Sequence, residues 1–257
     1  MNEPTLKRYS GKVVCITGSS RGIGRQLALR FAAEGADVVV NYFRNGDAAR
    51  SVVAEVEARG QRAIAVRANM AQEEKIVTMF EEIRSAFGRL DVFIHNAASG
   101  RNRSALDVDA KGFDWTIGVN TRAFLLGAQQ AAALMPQEGG SMLALSSFGS
   151  ERVFPYYTTV GASKAALESL VRYFAIELAP RRINVNAISA GAVMTDALDH
   201  FPDMDKTLAA VEAKMPYHRM VTPDDIANAA LFLCSPDAEM IRGQTIKLDG
   251  GITLLLP

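Results

Sequence analysis

The sequence predicts an α/β fold, namely a single-domain, Rossmann-type doubly wound parallel sheet of about seven strands with helices on both faces. Two observations predict this fold. Short β-branched runs alternate with longer helical patterns along the chain, and a glycine-rich turn joins the first run to the first helical pattern. Because the 257 residues contain no linker, repeat or low-complexity segment, we expect one domain over residues 1–257.

The predicted strands are short apolar runs, as expected for strands that are buried on both faces of a parallel sheet. In chain order they are Lys12–Ile16, Asp37–Asn41, Ala63–Arg67, Asp91–Ile94, Ser141–Leu145, Arg182–Ile188 and Thr245–Leu248. The predicted helices repeat apolar residues at the helical period. They are Ile23–Glu34, Asp47–Arg59, Glu73–Phe87, Phe113–Met135, Thr159–Leu178 and Pro223–Leu233. Each helix lies between two strands, which is the order that parallel strands require.

Composition argues against several classes of function. Lys+Arg and Asp+Glu both number 28, so no basic excess indicates a nucleic acid or an anionic membrane as partner. No apolar run has the length of a membrane span, and Met1–Ser10 lacks an apolar signal core. Cys15 and Cys234 lie in apolar runs and predict free core thiols in a reducing compartment. We therefore expect a soluble cytoplasmic protein with no metal site.

The first strand runs into the sequence Thr17-Gly18-Ser19-Ser20-Arg21-Gly22-Ile23-Gly24. Glycines between a strand and a helix let the backbone approach a pyrophosphate, and the helix N-terminus offers N–H groups and a favourable dipole. The position directly after the first strand therefore predicts a dinucleotide site.

The end of the second strand predicts which dinucleotide binds. NAD sites usually place Asp or Glu there, because a carboxylate accepts hydrogen bonds from the ribose 2′-OH. This chain has Asn41-Tyr42-Phe43-Arg44 instead. Arg44 and Arg21 would attract a 2′-phosphate, which predicts NADPH. The alternative is that Arg44 is an ordinary solvated loop residue.

The fourth strand ends in His95-Asn96-Ala97-Ala98. Small residues at this edge leave room for a cofactor, since ligands of open α/β sheets bind at the carboxyl ends of the strands. His95 precedes the turn within the strand end, which favours a structural role over that of a catalytic base.

Tyr157 and Lys164 are seven residues apart at the start of a predicted helix. Seven residues make about two turns, so both side chains point the same way, roughly 10 Å apart along the axis. A lysine can lower the pKa of a phenol, and the phenol can then donate to a carbonyl oxygen. Tyr156 is the rival donor, but it lies roughly 80° from the face of Lys164. From the spacing alone, ordinary packing beside a solvated charge is the competing interpretation.

Residues 195–220 form the one irregular stretch, in which apolar side chains alternate with charges. A flap over an apolar ligand and a plain amphipathic surface helix both fit this pattern. As candidates to contact an apolar ligand we take Leu198, Phe201 and Met204 in this stretch, with Met215 further along it and Phe148 and Phe154 near the Tyr157–Lys164 pair.

Together these motifs resemble the short-chain dehydrogenase/reductase family over essentially the whole chain. Thr17–Gly24 resembles that family's TGxxxGxG turn, and Asn96–Ala98 resembles its NAG turn, with alanine where glycine is usual. Residues 189–195 are similar to its PG-x-V-x-T segment, with Ala190 in place of proline, and Asp249–Gly251 resembles its DGG.

The family usually places its tyrosine four residues before the lysine, where this chain has Val160. Tyr-x6-Lys is instead the spacing of enoyl-acyl-carrier-protein reductases, and the chain is most similar to the NADPH-dependent type III. The resemblance implies hydride transfer from NADPH to C3 of a trans-2-enoyl thioester, in fatty-acid or related acyl biosynthesis. Charge then develops on the thioester oxygen, two carbons away, so a donor displaced by about one helical turn fits this chemistry.

The resemblance also implies roles for individual residues. Tyr157 would stabilise the enolate, Lys164 would bind the nicotinamide ribose and keep the pKa of the phenol low, and Asn120 would order a water near Lys164. Ser147 would line the site. The implied cofactor-binding residues are Gly18, Ser20, Arg21, Gly22, Ile23, Gly24, Arg44, Asn69, Met70, Asn96, Ala97, Ala98, Lys164, Gly191, Val193 and Thr195.

Two alternatives stay open. A carbonyl reductase acting on 3-oxoacyl thioesters would also use NADPH, and a non-catalytic NADPH-binding protein could have lost the family's tyrosine. Arg101, Arg103 and Arg152 could contact an acidic carrier protein or its phosphopantetheine, or could be solvated. The resemblance implies a homotetramer, or a dimer, formed through the helices at residues 113–135 and 159–178.

Overall fold

The computed structural model describes residues 7–191, 193, 212 and 214–255. Its strands are β1 Val13–Ile16, β2 Asp37–Tyr42, β3 Ala63–Arg67, β4 Val92–His95, β5 Gly140–Ser147, β6 Ile183–Ala190 and β7 Thr245–Leu248. They form one parallel sheet in the order β3-β2-β1-β4-β5-β6-β7. This order confirms the predicted doubly wound sheet, and it places β1 beside β4 where the winding reverses.

The helices that connect the strands are α1 Gly22–Ala33, α2 Gly46–Glu57, α3 Glu73–Phe87, α4 Ala110–Ile117, α5 Ala123–Leu134, α6 Thr158–Glu177 and α7 Pro223–Leu233. Most predicted bounds agree with these to within one or two residues. α7 begins where expected because Thr222 caps it, its hydroxyl accepting from Asp225 N while the Asp225 carboxylate accepts from Thr222 N. Within the described residues, no helix combines the length and apolar character that a membrane crossing needs.

The predicted helix Phe113–Met135 is wrong in its start and in its continuity. α4 begins three residues earlier, where the Asp109 side chain accepts from Gly112 N and so caps the helix. A π-helical turn at Gly118–Arg122 then separates α4 from α5. An apolar pattern does not reveal such a turn, because the extra residue is accommodated by backbone hydrogen bonds inside a continuous helical run.

The core lies on both faces of the sheet because alternate strand residues point to opposite sides. Val14 and Ile16 pack into one cluster with α1 and α7. Val13 and Cys15, their neighbours on β1, pack into a second cluster with α3 and α5. Cys15 and Cys234 are both free and buried, as predicted. Because helices cover both faces of the sheet, the carboxyl ends of its strands remain open for a ligand site.

Candidate active site

The turn after β1 has the geometry that the glycines predicted. Gly18 and Gly22 have positive φ values of 64° and 54°, which glycine adopts without strain. A Cβ on Gly24 would lie 2.4 Å from the Gly18 carbonyl oxygen, so α1 can pack this close to the turn only with glycine there.

The N-terminus of α1 suits an anion. Its N-cap residue, Arg21, makes no side-chain capping hydrogen bond, and the first turn holds no acidic residue. In α2, by contrast, the Asn45 side chain accepts from Ala48 N. The uncapped N–H groups of α1, together with its dipole, fit the pyrophosphate of a dinucleotide.

A buried hydrogen-bond chain links this turn to the end of β4. The Thr17 hydroxyl accepts from the backbone N–H groups of Asn96 and Ala97, at 3.0 and 2.9 Å. The Thr17 hydroxyl can therefore donate its proton to His95 Nδ1, 3.4 Å away. The other ring nitrogen, His95 Nε2, lies 3.2 Å from the Asn120 carbonyl oxygen. Burial, together with the Lys164 charge, lowers the pKa of His95 to about 3. The neutral ring therefore connects three backbone segments, in agreement with its predicted structural role.

Asn120 lies in the π-helical turn and is completely buried. Its side-chain oxygen accepts from Ser99 N at 2.8 Å, while its amide donates to the Ser99 carbonyl at 3.0 Å and to Ser163 Oγ at 2.9 Å. Asn120 thereby ties the loop after β4 to α6, the helix that carries Lys164.

Tyr157 is the N-cap residue of α6, just outside the first helical residue. Its hydroxyl donates towards Ser147 Oγ over 3.4 Å. The rings of Phe154 and Tyr157 lie 6.1 Å apart, and those of Phe148 and Phe154 lie 4.5 Å apart. The structure therefore brings together the predicted donor, the predicted serine and two of the predicted apolar residues.

The side chain of Tyr156 is exposed to solvent, although this residue directly precedes Tyr157. Its φ is +65°, a left-handed conformation, and its side chain is 56% exposed. Its carbonyl accepts from Arg103 N at 3.1 Å, which fixes this strained residue against the loop after β4. The structure thus favours Tyr157 over Tyr156 as the donor.

Lys164 is buried and donates to the Leu145 carbonyl at 2.7 Å. Burial lowers the pKa of Lys164 to about 8, and the Glu168 charge opposes this effect. Glu168 lies one helical turn further along α6, is 7% exposed, and accepts from the hydroxyls of Ser146 and Ser150, the latter at 2.7 Å.

The expectation that Lys164 keeps the pKa of the Tyr157 phenol low requires correction. Burial raises the pKa of Tyr157, and the hydrogen bond to Ser147 lowers it only in part. Lys164, which was expected to keep this pKa low, points its ammonium group at Leu145 instead. Tyr157 therefore keeps its proton across neutral pH, as a hydrogen-bond donor should.

The other predicted residues occupy the same edge of the sheet or fall outside the described residues. Arg44 is exposed at the end of β2, and its guanidinium lies 5.6 Å from the centre of the Phe43 ring. Asn69 and Met70 follow β3, and Gly191 and Val193 follow β6. Thr195, Leu198, Phe201 and Met204 lie outside the described residues, as does most of the predicted flap 195–220.

Sequence reasoning missed the contributions of Thr17, Ser99, Ser163 and Glu168. Ser99 and Ser163 meet Asn120 only through folding, so no local pattern indicates them. Glu168 did carry a signal, because Lys164 and Glu168 are four residues apart and so share a helix face. In the part of the chain that the structure describes, no three His, Cys, Asp or Glu side chains converge to hold a metal ion.

A family model described as enoyl-(acyl carrier protein) reductase matches residues 18–253. The 1-cyclohexenylcarbonyl-CoA reductase of Streptomyces collinus is 41% identical, with alignment over 100% of this chain and 93% of the relative. The hydroxynaphthalene reductase-like protein Arp2 of Metarhizium brunneum is 34% identical over 97% of this chain and 98% of its own length.

A solved structure agrees with these relatives. A short-chain dehydrogenase from Burkholderia cenocepacia, in complex with NADP, superimposes with a TM-score of 0.90 at 34% identity, covering 96% of this chain and 99% of that chain.

Proposed function

The chain belongs to the short-chain dehydrogenase/reductase family and is thus an oxidoreductase, and we propose that it reduces the C2=C3 double bond of enoyl thioesters with NADPH. The position of Tyr157 carries this proposal. Its hydroxyl reaches Ser147, while the family's usual tyrosine position holds the buried Val160. The donor therefore lies about one helical turn before the position that serves direct carbonyl reduction.

Bound NADPH would supply the hydride that adds to C3, and water would supply the proton that C2 of the resulting enolate takes up. Tyr157 would donate a hydrogen bond to the thioester oxygen, where negative charge develops, and its raised pKa keeps the donated proton in place. With the thioester bound, the Ser147 hydroxyl would instead donate to the Tyr157 oxygen and so orient the phenol, whose one proton would point at the thioester oxygen. Phe148 and Phe154 would contact the acyl group beside the ring of Tyr157.

Lys164 and Asn120 would act on the cofactor side. The buried Lys164 ammonium group would donate to the nicotinamide ribose as well as to Leu145. Asn120 holds α6 against the loop after β4 through Ser99 and Ser163, so it fixes the helix from which Lys164 projects.

NADPH rather than NADH is favoured by the end of β2. Arg44 follows that strand, no carboxylate stands at its end, and Arg21 precedes the uncapped N-terminus of α1. Two arginines without an acid favour a ribose 2′-phosphate. The Burkholderia structure described above contains NADP.

For the substrate carrier we propose acyl-carrier protein, and coenzyme A is the alternative that the Streptomyces relative favours, since its name specifies a CoA thioester. The segment 195–220 would cover the acyl chain as a flap. Arg101 and Arg103 are exposed on the loop after β4, and Arg103 pairs with Tyr157 just before α6, so both would be accessible to the phosphopantetheine arm or an acidic carrier.

We also propose a homo-oligomer, a tetramer, that works in the cytoplasm. Phe113 and Trp115 on α4 and Tyr173 and Ile176 on α6 are 39–74% exposed. Large apolar side chains exposed on two packed helices suit a subunit interface. The buried free thiols Cys15 and Cys234 suit a reducing compartment.

NADPH oxidation at 340 nm tests the reaction. A trans-2-enoyl thioester and a 3-oxoacyl thioester of equal chain length are compared, each on coenzyme A and on acyl-carrier protein. We expect faster turnover of the enoyl substrate. Turnover of the oxo substrate alone would identify a carbonyl reductase, the second candidate. NADPH binding without either reaction would favour a non-catalytic role.

A further inference from the structure

Glu168 is a buried carboxylate that the proposed reaction does not use. Glu168 is 7% exposed, and its neighbours on the buried face of α6 include the apolar Leu167 and Val171. Burying a carboxylate costs free energy unless hydrogen bonds and an opposite charge compensate for it. Two hydroxyl groups, those of Ser146 and Ser150, donate to its Oε1 atom.

The two hydroxyl groups flank Ser147, which accepts from Tyr157. Ser146 lies in β5 and Ser150 in the short 3-10 turn at Phe148–Ser150 that follows it. Through them Glu168 fastens both sides of Ser147 to α6. A glutamine could accept the same two hydrogen bonds, so anchoring does not by itself require a charge.

Glu168 follows Lys164 by four residues, so the two side chains lie on the same side of α6. The two residues are one helical turn apart, and they contact adjacent residues of β5, since Lys164 donates to Leu145 and Glu168 accepts from Ser146. Among the described residues, the other titratable groups near Lys164 are His95 and Tyr157, and both are neutral at neutral pH. His95 on β4 is neutral because its pKa is lowered to about 3, and Tyr157 keeps its proton because its pKa is raised. Asn120, in the π-helical turn, and the β5 hydroxyls are neutral.

We propose that Glu168 is a positioning residue that keeps the buried Lys164 ammonium group protonated for cofactor binding while it holds Ser147 beside Tyr157. The first part rests on the proposed role of Lys164 at the nicotinamide ribose. In support, the Glu168 charge raises the pKa of Lys164 and opposes the larger effect of burial, which lowers it to about 8. Lys164 is thus protonated below about pH 8, and NADPH affinity should weaken as the pH rises through that value.

The test measures the dissociation constant of NADPH by fluorescence between pH 6.5 and 9, with no acyl substrate, for the wild type and Glu168→Gln. If loss of the charge lowers the pKa from about 8 to about 7, the protonated fraction at pH 8 falls from about one half to about one tenth. The dissociation constant at pH 8 should then rise about fivefold, and at pH 6.5 the two proteins should nearly agree. Because each value is a ratio of variant to wild type, the titration of NADPH itself cancels.

Glu177→Gln is the matched control, because it removes the same charge from an exposed position on the same helix. We expect it to leave the pH dependence unchanged. A Glu168→Gln ratio that is the same at every pH would show a purely structural role and overturn the proposal. If Glu168→Gln does not fold, Glu168→Asp and Glu168→Asn give the same comparison between a charged and a neutral side chain at position 168. Since no thioester is present, the outcome is independent of whether the enzyme reduces enoyl groups.

Discussion

Two adjacent tyrosines at the start of α6 have different surroundings. Tyr157 is partly buried beside Ser147, whereas Tyr156 is exposed. The seven-residue spacing to Lys164 favoured Tyr157, and the burial of Tyr157 beside Ser147 agrees with that prediction. The reason that separates them most clearly is the left-handed backbone of Tyr156, which turns its side chain outward. A sequence does not reveal that conformation, because bulky residues adopt it only where tertiary contacts impose it.

Tyr157→Phe should lower turnover of an enoyl thioester at least about a hundredfold, because it removes one donor aimed at the developing oxyanion. NADPH affinity should stay within about twofold, since the ring and its packing against Phe154 are kept. Steady-state kinetics with cofactor titration measures both. Tyr156→Phe is the matched control, with near wild-type turnover expected. Equal losses in the two variants would refute the assignment of Tyr157.

The polar partners inside the candidate site were less predictable than the proposed pair of Tyr157 and Lys164. Tyr157 and Lys164 are seven residues apart at the start of α6, so local spacing indicates both. Ser163 meets Asn120 across 43 positions of sequence, and Thr17 meets His95 across 78. Such pairs depend on which strands become neighbours, and short-range patterns carry no information about that.

Among the elements, α6 and the loop after β4 fit together through Val160 and Gly100. A Cβ on Gly100 would lie 2.2 Å from Val160 Cγ2, which is closer than non-bonded atoms approach. The sequence marked Val160 only as a departure from the family's tyrosine. The structure shows that Val160 occupies the space left by the missing side chain of Gly100. A side chain at position 100 therefore fits only if residue 160 is smaller than valine.

Gly100→Ala should therefore lower the free energy of unfolding by about 1–3 kcal/mol, because overpacking forces the loop or α6 to shift. Val160→Ala removes the obstructing methyl groups. The double variant should consequently lose less stability than the sum of the two single variants, with a coupling of about 1 kcal/mol or more. Urea unfolding of the four proteins measures this coupling. Strict additivity would mean that the loop relaxes elsewhere and that the two residues are not in packing contact.

Element boundaries were predictable where local chemistry sets them. α7 begins at Pro223 after the Thr222 cap, and α3 ends before Gly88, whose φ is +71°. The π-helical turn at Gly118–Arg122 was not predictable. It lies where Asn120 bonds to both the β4 loop and α6, so tertiary contacts favour the irregular turn over a regular helix.

Across the whole molecule, the sheet edge formed by the carboxyl ends of the strands and the edge formed by their amino ends have different roles. The carboxyl ends of β1, β4 and β5 carry Gly18, Asn96 and Ser147, which belong to the candidate site. The opposite edge carries Asp91, which is 4% exposed and precedes β4. Alternating strands and helices predicted that the carboxyl edge would hold the site. The polar cluster at the other edge joins distant segments, and no local sequence motif indicates it.

Asp91 gathers four hydrogen bonds at that edge. Its carboxylate accepts from Val13 N at 3.0 Å, from Lys12 Nζ at 3.1 Å, and from Arg89 Nε and Nη2 at 3.0 and 2.6 Å. Lys12 and Arg89 are half-exposed and regain water when the carboxylate is lost, but Val13 N lies in the buried strand β1. Removal of the Asp91 carboxylate should therefore destabilise mainly the pairing of β1 with β4.

Asp91→Ala should lower the free energy of unfolding by about 2–3 kcal/mol, since it leaves a buried donor unsatisfied. It should leave kcat/KM at low temperature unchanged, because the site lies at the other edge of the sheet. Arg89→Ala leaves Lys12 and the Val13 N–H on the carboxylate, so it should lower the free energy of unfolding by less than Asp91→Ala does. Urea unfolding and NADPH-linked kinetics on the same samples separate the two effects. If Asp91→Ala slowed catalysis in fully folded protein, the two edges would be coupled through β1 and β4, and the division of tasks between them would be wrong.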